Sequence, residues 1–176
     1  RAPQPLSLGR VFSARSVAAA VSLAPEDIVT AGHEPVVASV GLPFLLAQVR
    51  DREALARSRP DTRHVEVLMA EGLAEPFIHL YVRDAGEFDI RARMYAPFDG
   101  VPEDPATGSA NCALAALLGR DGGLPDGPHV WRIAQGVEMG RPSVLEARIE
   151  KRGGDVTGVW IGGESVMVCE GTIEVG

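Results

Sequence analysis

Apolar and polar residues alternate along much of this chain, which is the pattern of strands with one buried face. Alternation predicts strands over residues 77–83 and 89–95, joined by a hairpin turn at 84–87. The same signals predict four more strands in the last third of the chain, at 129–137, 144–150, 156–161 and 165–169, with turns at 152–155 and 162–164. Antiparallel strands therefore dominate the expected secondary structure.

Other apolar patterns predict buried strands and short helices. The run over 35–49 is almost continuously apolar and is interrupted by Gly41 and Pro43, which predicts two buried strands around a bend. Residues 15–23 and 51–59 predict short helices that end before a proline, and the charges of the second predict a solvated helix. One further segment has a different character.

That segment, residues 108–118, contains no charged residue and is apolar on every side, so it predicts a helix buried on every side. The buried face of an antiparallel sheet must pack against another element, and a helix that is apolar on every side must be covered. A sheet curled around the helix meets both requirements. We therefore expect an α+β fold, in which an antiparallel or mixed sheet curls around a central buried helix.

Composition excludes several functional classes. The formal net charge of -7 and the absence of a basic run argue against a nucleic-acid partner. The longest uncharged stretches, 35–49 and 105–119, are shorter than the roughly 20 residues that a helix needs to cross a bilayer, so no membrane partner is expected. Two cysteines do not make a disulfide scaffold and no signal peptide opens the chain, which favours a cytoplasmic protein.

The residues in front of the buried helix combine a carboxylate with a turn of small residues, in the run EDPATGSA at 103–110. The first N–H groups of a helix carry the positive end of its dipole, and Gly108 and Ser109 leave room for a ligand there. This pattern indicates a receptor for an oxyanion or carboxylate, with Asp104 beside it. Asp104 followed by proline is also the pattern of an ordinary helix N-cap, and Thr107 is an alternative cap that would free Asp104. The spacing leaves both interpretations open.

The other charged and thiol side chains are expected to be structural. Arg91 and Arg93 share one strand face and are interpreted as solvated or interface charges. Cys112 lies about 12 Å along the helix from Asp104. Like Cys169 on its predicted strand, it is expected to pack as a small hydrophobe. The histidines show no metal-ligand spacing, so no metal site is predicted.

Three sequence blocks resemble the PhzF-like isomerases of phenazine biosynthesis, whose fold is that of diaminopimelate epimerase. The first is RMYAP at 93–97 leading into GVPEDPATGSA at 100–110, the second is QGVEMGRPS at 135–143, and the looser third is ASVGLPF at 38–44. Their order and separation match the C-terminal half of that family. The resemblance implies that residues 13–176 are a C-terminal PhzF-like domain and that residues 1–12 are a linker from an N-terminal domain absent from this chain.

For function, the resemblance implies cofactor-free proton movement within a small, anionic, carboxylated substrate. Asp104 matches the aspartate that hydrogen-bonds substrate and tunes proton transfer, and Ser109 is assigned with it as a catalytic residue. Thr107, Gly108 and Ser109 match the residues that hold substrate at the start of the helix. The glutamate acid/base of the family belongs to its N-terminal half, which has no counterpart in this sequence. Family members are often homodimers, so a homodimer is an expected assembly.

Two alternative functions stand beside this one. Epimerases and racemases of the same fold carry a cysteine where this chain has Asp104, which disfavours a racemase with two thiol bases. If 176 residues are the whole product, the chain is instead a non-catalytic binding or dimerisation module, because an acid/base pair needs both partners. The motif does not specify the substrate, because the substrate pocket varies among proteins that share the fold.

Overall fold

The computed structural model of the chain describes residues 1–83 and 86–174. Its strands are β1 (Ser7–Val11), β2 (Ile28–Val29), β3 (Val36–Ser39), β4 (Pro43–Val49), β5 (Ile78–Arg83), β6 (Ile90–Tyr95), β7 (Glu103–Asp104), β8 (Gly127–Gln135), β9 (Ser143–Arg152) and β10 (Asp155–Gly163). Its helices are α1 (Ala14–Ala20), α2 (Arg52–Arg57), α3 (Thr62–Ala70) and α4 (Gly108–Asp121), and a 3-10 turn spans Pro25–Asp27.

The strands of the described residues form one mixed sheet. Its order is β1-β3-β4-β5-β6-β8-β9-β10, with β2 paired to β4 and β7 paired to β6. The pairs β4–β5 and β6–β8 are parallel, and the other pairs are antiparallel. The fold is therefore α+β, a half-barrel of mixed strands with few helices, and the predicted class is confirmed at this level.

The predicted strand pairs near the middle of the chain are confirmed. Strands β5 and β6 form an antiparallel hairpin in which Ile78 lies opposite Tyr95. Of its predicted turn at 84–87, residues 84 and 85 lie outside the described residues. Strands β3 and β4 are antiparallel and are joined through Gly41, whose φ of +150° suits a residue without a side chain.

Alternation along β5 separates two hydrophobic cores on the two faces of the sheet. Ile78 and Leu80 point into the core that includes residues of α1, α2 and α3, whereas Tyr81 points into the core that contains α4. Helix α1 packs on α3, and α4 packs against β3, β4, β9 and β10. The three short helices thus cover one face, and the single longer helix covers the other.

Helix α4 begins at Gly108, with Thr107 as its N-cap residue, and residues 110–119 are all buried. Asp104 lies on β7, three positions before the cap, so the interpretation of Asp104 as the N-cap is wrong. Cys112 is buried in the α4 core, as expected of a small hydrophobe.

Arg91 and Arg93 were interpreted as solvated or interface charges, and the solvated interpretation is wrong for Arg93, which is buried, whereas Arg91 is half-buried. Arg93 is 3% exposed and forms an ion pair with Glu103. Arg91 Nε lies 3.0 Å from an oxygen of Glu138. Their strand, β6, lies inside the sheet between β5 and β8, so both arginines are covered by neighbouring elements and need acidic partners.

The predicted strand at 165–169 is also wrong, because residues 164–174 are exposed and irregular. Strand β10 continues through Gly163, which replaces the predicted turn at 162–164. A strand requires a neighbouring edge, and within the described residues no strand pairs with this segment. Cys169 is consequently exposed rather than buried.

The helices and the N-terminal segment differ in detail from expectation. Helix α1 falls within the region predicted, and α2 confirms the second predicted helix, although its Ala54 and Leu55 are buried. Helix α3 was not predicted from the sequence. Residues 1–12, expected to be a linker, include strand β1, which pairs with β3.

Candidate functional site

Two adjacent acidic residues on β7 have different partners. The carboxylate of Glu103 accepts two hydrogen bonds from Arg93, each of 2.8 Å, one on each oxygen. Asp104 accepts a hydrogen bond of 2.6 Å on Oδ2 from the hydroxyl of Thr107. Its Oδ1 has no hydrogen-bond partner among the described residues. Both oxygens of Glu103 are therefore occupied within the fold, whereas Asp104 keeps one oxygen for a ligand.

A buried amide network lies behind Thr107. Gln135 Nε2 donates to Thr107 Oγ1 at 2.9 Å and to the backbone oxygen of Asp104 at 2.7 Å. Asn111 Nδ2 donates to Gln135 Oε1 at 2.8 Å and to the backbone oxygen of Thr107 at 2.9 Å. Both amide side chains are fully buried, so water does not compete for these bonds. The network fixes the loop between β7 and α4, and with it the position of Asp104.

Gly136 brings two of the sequence blocks together. Its φ of +76° lies in the left-handed region, where glycine is favoured. A Cβ at this position would lie 2.9 Å from the backbone oxygen of Pro105 and would clash with the backbone oxygen of Arg141. The blocks at 100–110 and 135–143 therefore touch through their backbones, and glycine is the residue that fits between them.

The start of α4 presents unpaired N–H groups. The Thr107 side chain does not cap the helix; its hydroxyl oxygen accepts from Gln135 Nε2 and its proton is donated to Asp104. In the described part of the chain, the N–H groups of Gly108, Ser109 and Ala110 have no hydrogen-bond partner. A helix of 14 residues carries a positive partial charge at this end, so the unpaired groups favour an anion.

A cavity of about 370 Å³ lies beside these groups. Asp104, Thr107 and Ser109 line one side of it, and the remaining wall is largely apolar, with Leu42, Phe44, Phe77, Met94, Ala96 and Val101. Its volume is in the range of small-molecule sites, and an apolar wall with a few polar groups is their usual composition.

Gly108, the fourth predicted site residue, lines a different groove. That groove has a volume of about 940 Å³ and is also lined by Arg132, Glu146 and Ile161. Although it is larger, it does not include the carboxylate of Asp104, so we take the smaller cavity as the candidate site. The structure therefore brings three predicted residues to one cavity and places the fourth beside it, at the same helix terminus.

Burial controls the titration of two side chains near the site. Burial lowers the pKa of His79, on β5, to about 4, and the neighbouring side chain of Asn111 partly opposes this shift. His79 is therefore neutral at pH 7. Burial also raises the pKa of the Cys112 thiol, which keeps it protonated and makes it a poor nucleophile.

Sequence reasoning assigned no role to Gln135 or Asn111. Gln135 opens the second sequence block, so its position was visible although its function was not. Asn111 is the one amide side chain in the buried stretch of α4, residues 110–119, which is otherwise apolar. A lone amide in such a helix must find hydrogen-bond partners in the core, and that requirement is the signal that identifies it.

Residues 1–83 and 86–174 contain neither a metal-binding cluster nor a membrane-spanning helix. No group of three or more histidine, cysteine, aspartate or glutamate side chains is arranged to hold a metal ion. No helix there combines the length and apolar character required to cross a bilayer.

Comparison with known proteins gives consistent relatives. The sequence model of one family, described as phenazine biosynthesis-like protein, matches residues 4–171. An uncharacterized isomerase of Mesorhizobium japonicum is 32% identical over 97% of this chain, and the chain covers 57% of that protein. The trans-2,3-dihydro-3-hydroxyanthranilate isomerase of Pseudomonas chlororaphis is 47% identical over 47% of this chain and 30% of its own length.

Solved structures show the same fold. A phenazine biosynthesis protein of the PhzF family from Bacillus anthracis superposes with a TM-score of 0.75 at 17% identity, over 94% of this chain and 59% of that one. A Pseudomonas aeruginosa protein described as a predicted epimerase gives a TM-score of 0.63 at 29% identity, over 95% of this chain and 57% of that one. In both comparisons this chain corresponds to less than two thirds of the neighbour.

Proposed function

Because this chain belongs to the phenazine biosynthesis-like protein family, we propose that it is the C-terminal half of a cofactor-independent isomerase. The enzyme moves a proton within a small carboxylated substrate by acid/base catalysis. One observation carries this proposal. The cavity lined by Asp104, which has one carboxylate oxygen without a partner in the described residues, is also lined by Ser109, at the helix terminus whose N–H groups are unpaired.

The residues of this half have separate roles. The N–H groups at the start of α4 bind the substrate carboxylate, because the helix dipole and the unpaired donors both favour negative charge there. Thr107 and Gly108 shape this receptor, and the hydroxyl of Ser109 supplies a further hydrogen bond to the anion. Asp104 hydrogen-bonds the reacting part of the substrate through Oδ1 and tunes proton transfer.

The acid/base that removes and returns the proton belongs to the other half of the enzyme. This chain covers 57% of its Mesorhizobium japonicum relative, so a second half is available in relatives of that length. In our proposal, the C-terminal domain has its sheet curled around α4 and includes strand β1, so a connection to the N-terminal domain precedes Ser7. The complete enzyme is a cytoplasmic homodimer that binds neither nucleic acid nor membrane.

The test uses the complete protein in D2O with trans-2,3-dihydro-3-hydroxyanthranilate, the compound in the name of the Pseudomonas chlororaphis relative. We expect the product to contain deuterium on carbon. Asp104→Asn should lower kcat by about 10²- to 10⁴-fold, the usual contribution of a general acid–base group. Asp155→Asn is the matched control, since Asp155 is exposed at the start of β10. Full activity of Asp104→Asn would overturn the role of Asp104.

An amino-acid epimerase or racemase is the second candidate, favoured by the likeness to the Pseudomonas aeruginosa protein described as a predicted epimerase. Inversion of enantiomerically pure amino acids, without isomerisation of the dihydroaromatic acid, would replace the first proposal by this one. The intact mass of the cellular protein tests the non-catalytic module, because a product of 18.6 kDa would consist of this domain alone.

A further inference from the structure

His79 is a buried polar side chain without an evident partner. It lies on β5 in register with Leu46 and Met94, which belong to the core that contains α4. The side chain is fully buried, and neither ring nitrogen has a hydrogen-bond partner among the described residues. A buried polar group left unpaired costs about 1–3 kcal/mol, so its presence in this core requires a reason.

The side chain beside it carries the complementary unpaired atom. Asn111 Oδ1 is also buried without a hydrogen-bond partner. Asn111 Nδ2 donates to two oxygens, one on Thr107 and one on Gln135, and this fixes the orientation of the amide. A neutral imidazole has one N–H donor, and Asn111 Oδ1 is an acceptor. The N–H of His79 and the oxygen of Asn111 are therefore complementary, and one hydrogen bond between them would satisfy both groups.

Protonation favours the same arrangement. Burial lowers the pKa of His79 to about 4, so the ring is neutral and offers a single N–H at neutral pH. Asn111 is the one other group that affects this pKa, and it favours the charged form, as an acceptor oxygen beside an N–H donor does. No charged side chain contributes, so the hydrogen bond to Asn111 is the interaction open to His79 in this core.

The hydrogen bonds beyond Asn111 all run in one direction. Asn111 Nδ2 donates to Gln135 Oε1, Gln135 Nε2 donates to Thr107 Oγ1, and the Thr107 hydroxyl donates to Asp104 Oδ2. If the Asn111 amide were reversed, its oxygen would face the oxygens of Gln135 and Thr107. Backbone groups hold the same orientations, because Asn111 Nδ2 also donates to the oxygen of Thr107, Gln135 Nε2 to the oxygen of Asp104, and the N–H of Thr107 to Gln135 Oε1. Hydrogen bonds aligned in this way polarise one another.

We propose that His79 is a positioning residue: neutral His79 donates to Asn111 Oδ1 and thereby fixes the donor chain that ends on Asp104. The consequence for catalysis rests on the proposed function, whereas the hydrogen-bond chain does not. His79 touches no substrate and acts only through Asn111, Gln135 and Thr107. Its effect is to hold Asp104 Oδ2 on the Thr107 hydroxyl, so that Oδ1 faces the cavity.

The first test is NMR spectroscopy of the 176-residue chain. Long-range ¹H–¹⁵N spectra should show a single neutral tautomer of His79 from pH 8 to pH 5, with slow exchange of its N–H. A doubly protonated His79 ring at pH 6, or an N–H in fast exchange, would overturn the proposal. Because this measurement uses the unsubstituted protein, it tests the protonation and the N–H exchange of His79 even if a variant does not fold.

Variants then test transmission along the chain. His79→Phe keeps a ring but removes the donor, and it should shift the Gln135 side-chain amide signals and speed exchange of the Thr107 backbone N–H at least tenfold. His79→Gln keeps an N–H donor and should restore both. His64→Phe, at a half-exposed side chain on α3, is the control and should change neither. Unchanged Gln135 and Thr107 signals in His79→Phe would contradict the proposal.

Kinetics of the complete protein separate this inference from the proposed function. With Asp104 active as proposed, His79→Phe should lower kcat about tenfold with KM within twofold, and His79→Gln should recover most of the loss. An equal loss in both variants would mean that His79 supports only the packing. If the NMR results hold but Asp104→Asn is fully active, the proposed function fails and the donor chain stands.

Discussion

Glu103 and Asp104 are neighbours with the same chemistry and different partners. Glu103 is held on both oxygens by Arg93, which is itself buried and donates to the backbone oxygens of Leu55, Ala56 and Ser58 at the end of α2. Asp104 is held on one oxygen by a neutral hydroxyl, at the edge of a cavity.

This difference in partners underlies the roles that we propose for the two acids, structural for Glu103 and functional for Asp104. Glu103 meets a cation that is already tied to a helix end, so its charge is neutralised within the protein. Asp104 meets hydrogen-bond donors without net charge, so its negative charge and one oxygen stay available to a ligand. In our proposal, the partner that each acid meets decides which of the two serves the site.

The largest expected effect is the loss of stability when Glu103 loses its partner Arg93. Arg93→Met removes the partner of a largely buried carboxylate and six hydrogen bonds, so it should lower the free energy of unfolding by about 3–5 kcal/mol. Urea denaturation followed by circular dichroism measures this. Arg63→Met is the control, because the Arg63 side chain is 85% exposed, and it should change stability by less than about 0.5 kcal/mol.

Urea denaturation of an Asp104 variant provides the matching measurement for the second acid. Asp104→Asn keeps the shape of the side chain and removes a charge that no cation neutralises, so stability should change by no more than about 1 kcal/mol. A loss as large as that of Arg93→Met would show that Asp104 is needed for folding. Adding Glu103→Leu to Arg93→Met should recover part of the loss, because the unpaired charge is then gone.

The Arg93–Glu103 pair also shows where sequence reasoning reaches its limit. Alternation correctly placed residues 90, 92 and 94 on one face of β6, because that signal is local. It could not show that the opposite face is covered too, since the helix end that Arg93 caps lies 35–38 residues away. A solvated or interface arginine was therefore predicted where the fold has a buried one.

Other differences have the same physical origin. Helix α3 buries only Val65 and Leu68 on a sequence of mixed character, so its pattern was weak. The strand predicted at 165–169 had the right composition, but a strand also requires an edge to pair with. The motif around Asp104 was visible because its spacing is local, whereas Gln135 reaches Thr107 and Asp104 through contacts over 28 and 31 residues.

The second prediction compares two glycines in the loop between β8 and β9, which packs against the loop that follows Asp104. Gly136 and Gly140 have nearly equal φ, +76° and +77°, but only Gly136 lies against other backbone atoms. Gly136→Ala should cost about 3 kcal/mol, the sum of left-handed strain and overpacking. Gly140→Ala should cost about 1 kcal/mol from strain alone. Equal losses in thermal or urea unfolding would mean that contact with Pro105 does not hold the loop.

The third prediction concerns the loss of stability at acidic pH. The pKa of His79 is about 4 in the folded protein and about 6.5 when unfolded, so the unfolded state binds more protons between these values. Stability should therefore fall by about 2 kcal/mol from pH 7 to pH 5. The fall should be absent in His79→Gln, whose side chain does not titrate. A pH dependence that is the same in both proteins would assign the fall to other groups.

The smallest expected effect separates the two hydroxyls beside Asp104. Thr107→Val removes a buried hydroxyl that accepts from Gln135 and donates to Asp104, so it should cost about 1–2 kcal/mol of stability. Ser109→Ala removes an exposed hydroxyl and should change stability by less than about 0.5 kcal/mol. In the complete enzyme the order should reverse for KM, which Ser109→Ala raises more because Ser109 contacts substrate in our proposal. If Ser109→Ala leaves KM unchanged, the anion is held by the backbone of α4 alone, and Asp104 is then the one side chain of this half that acts on the substrate.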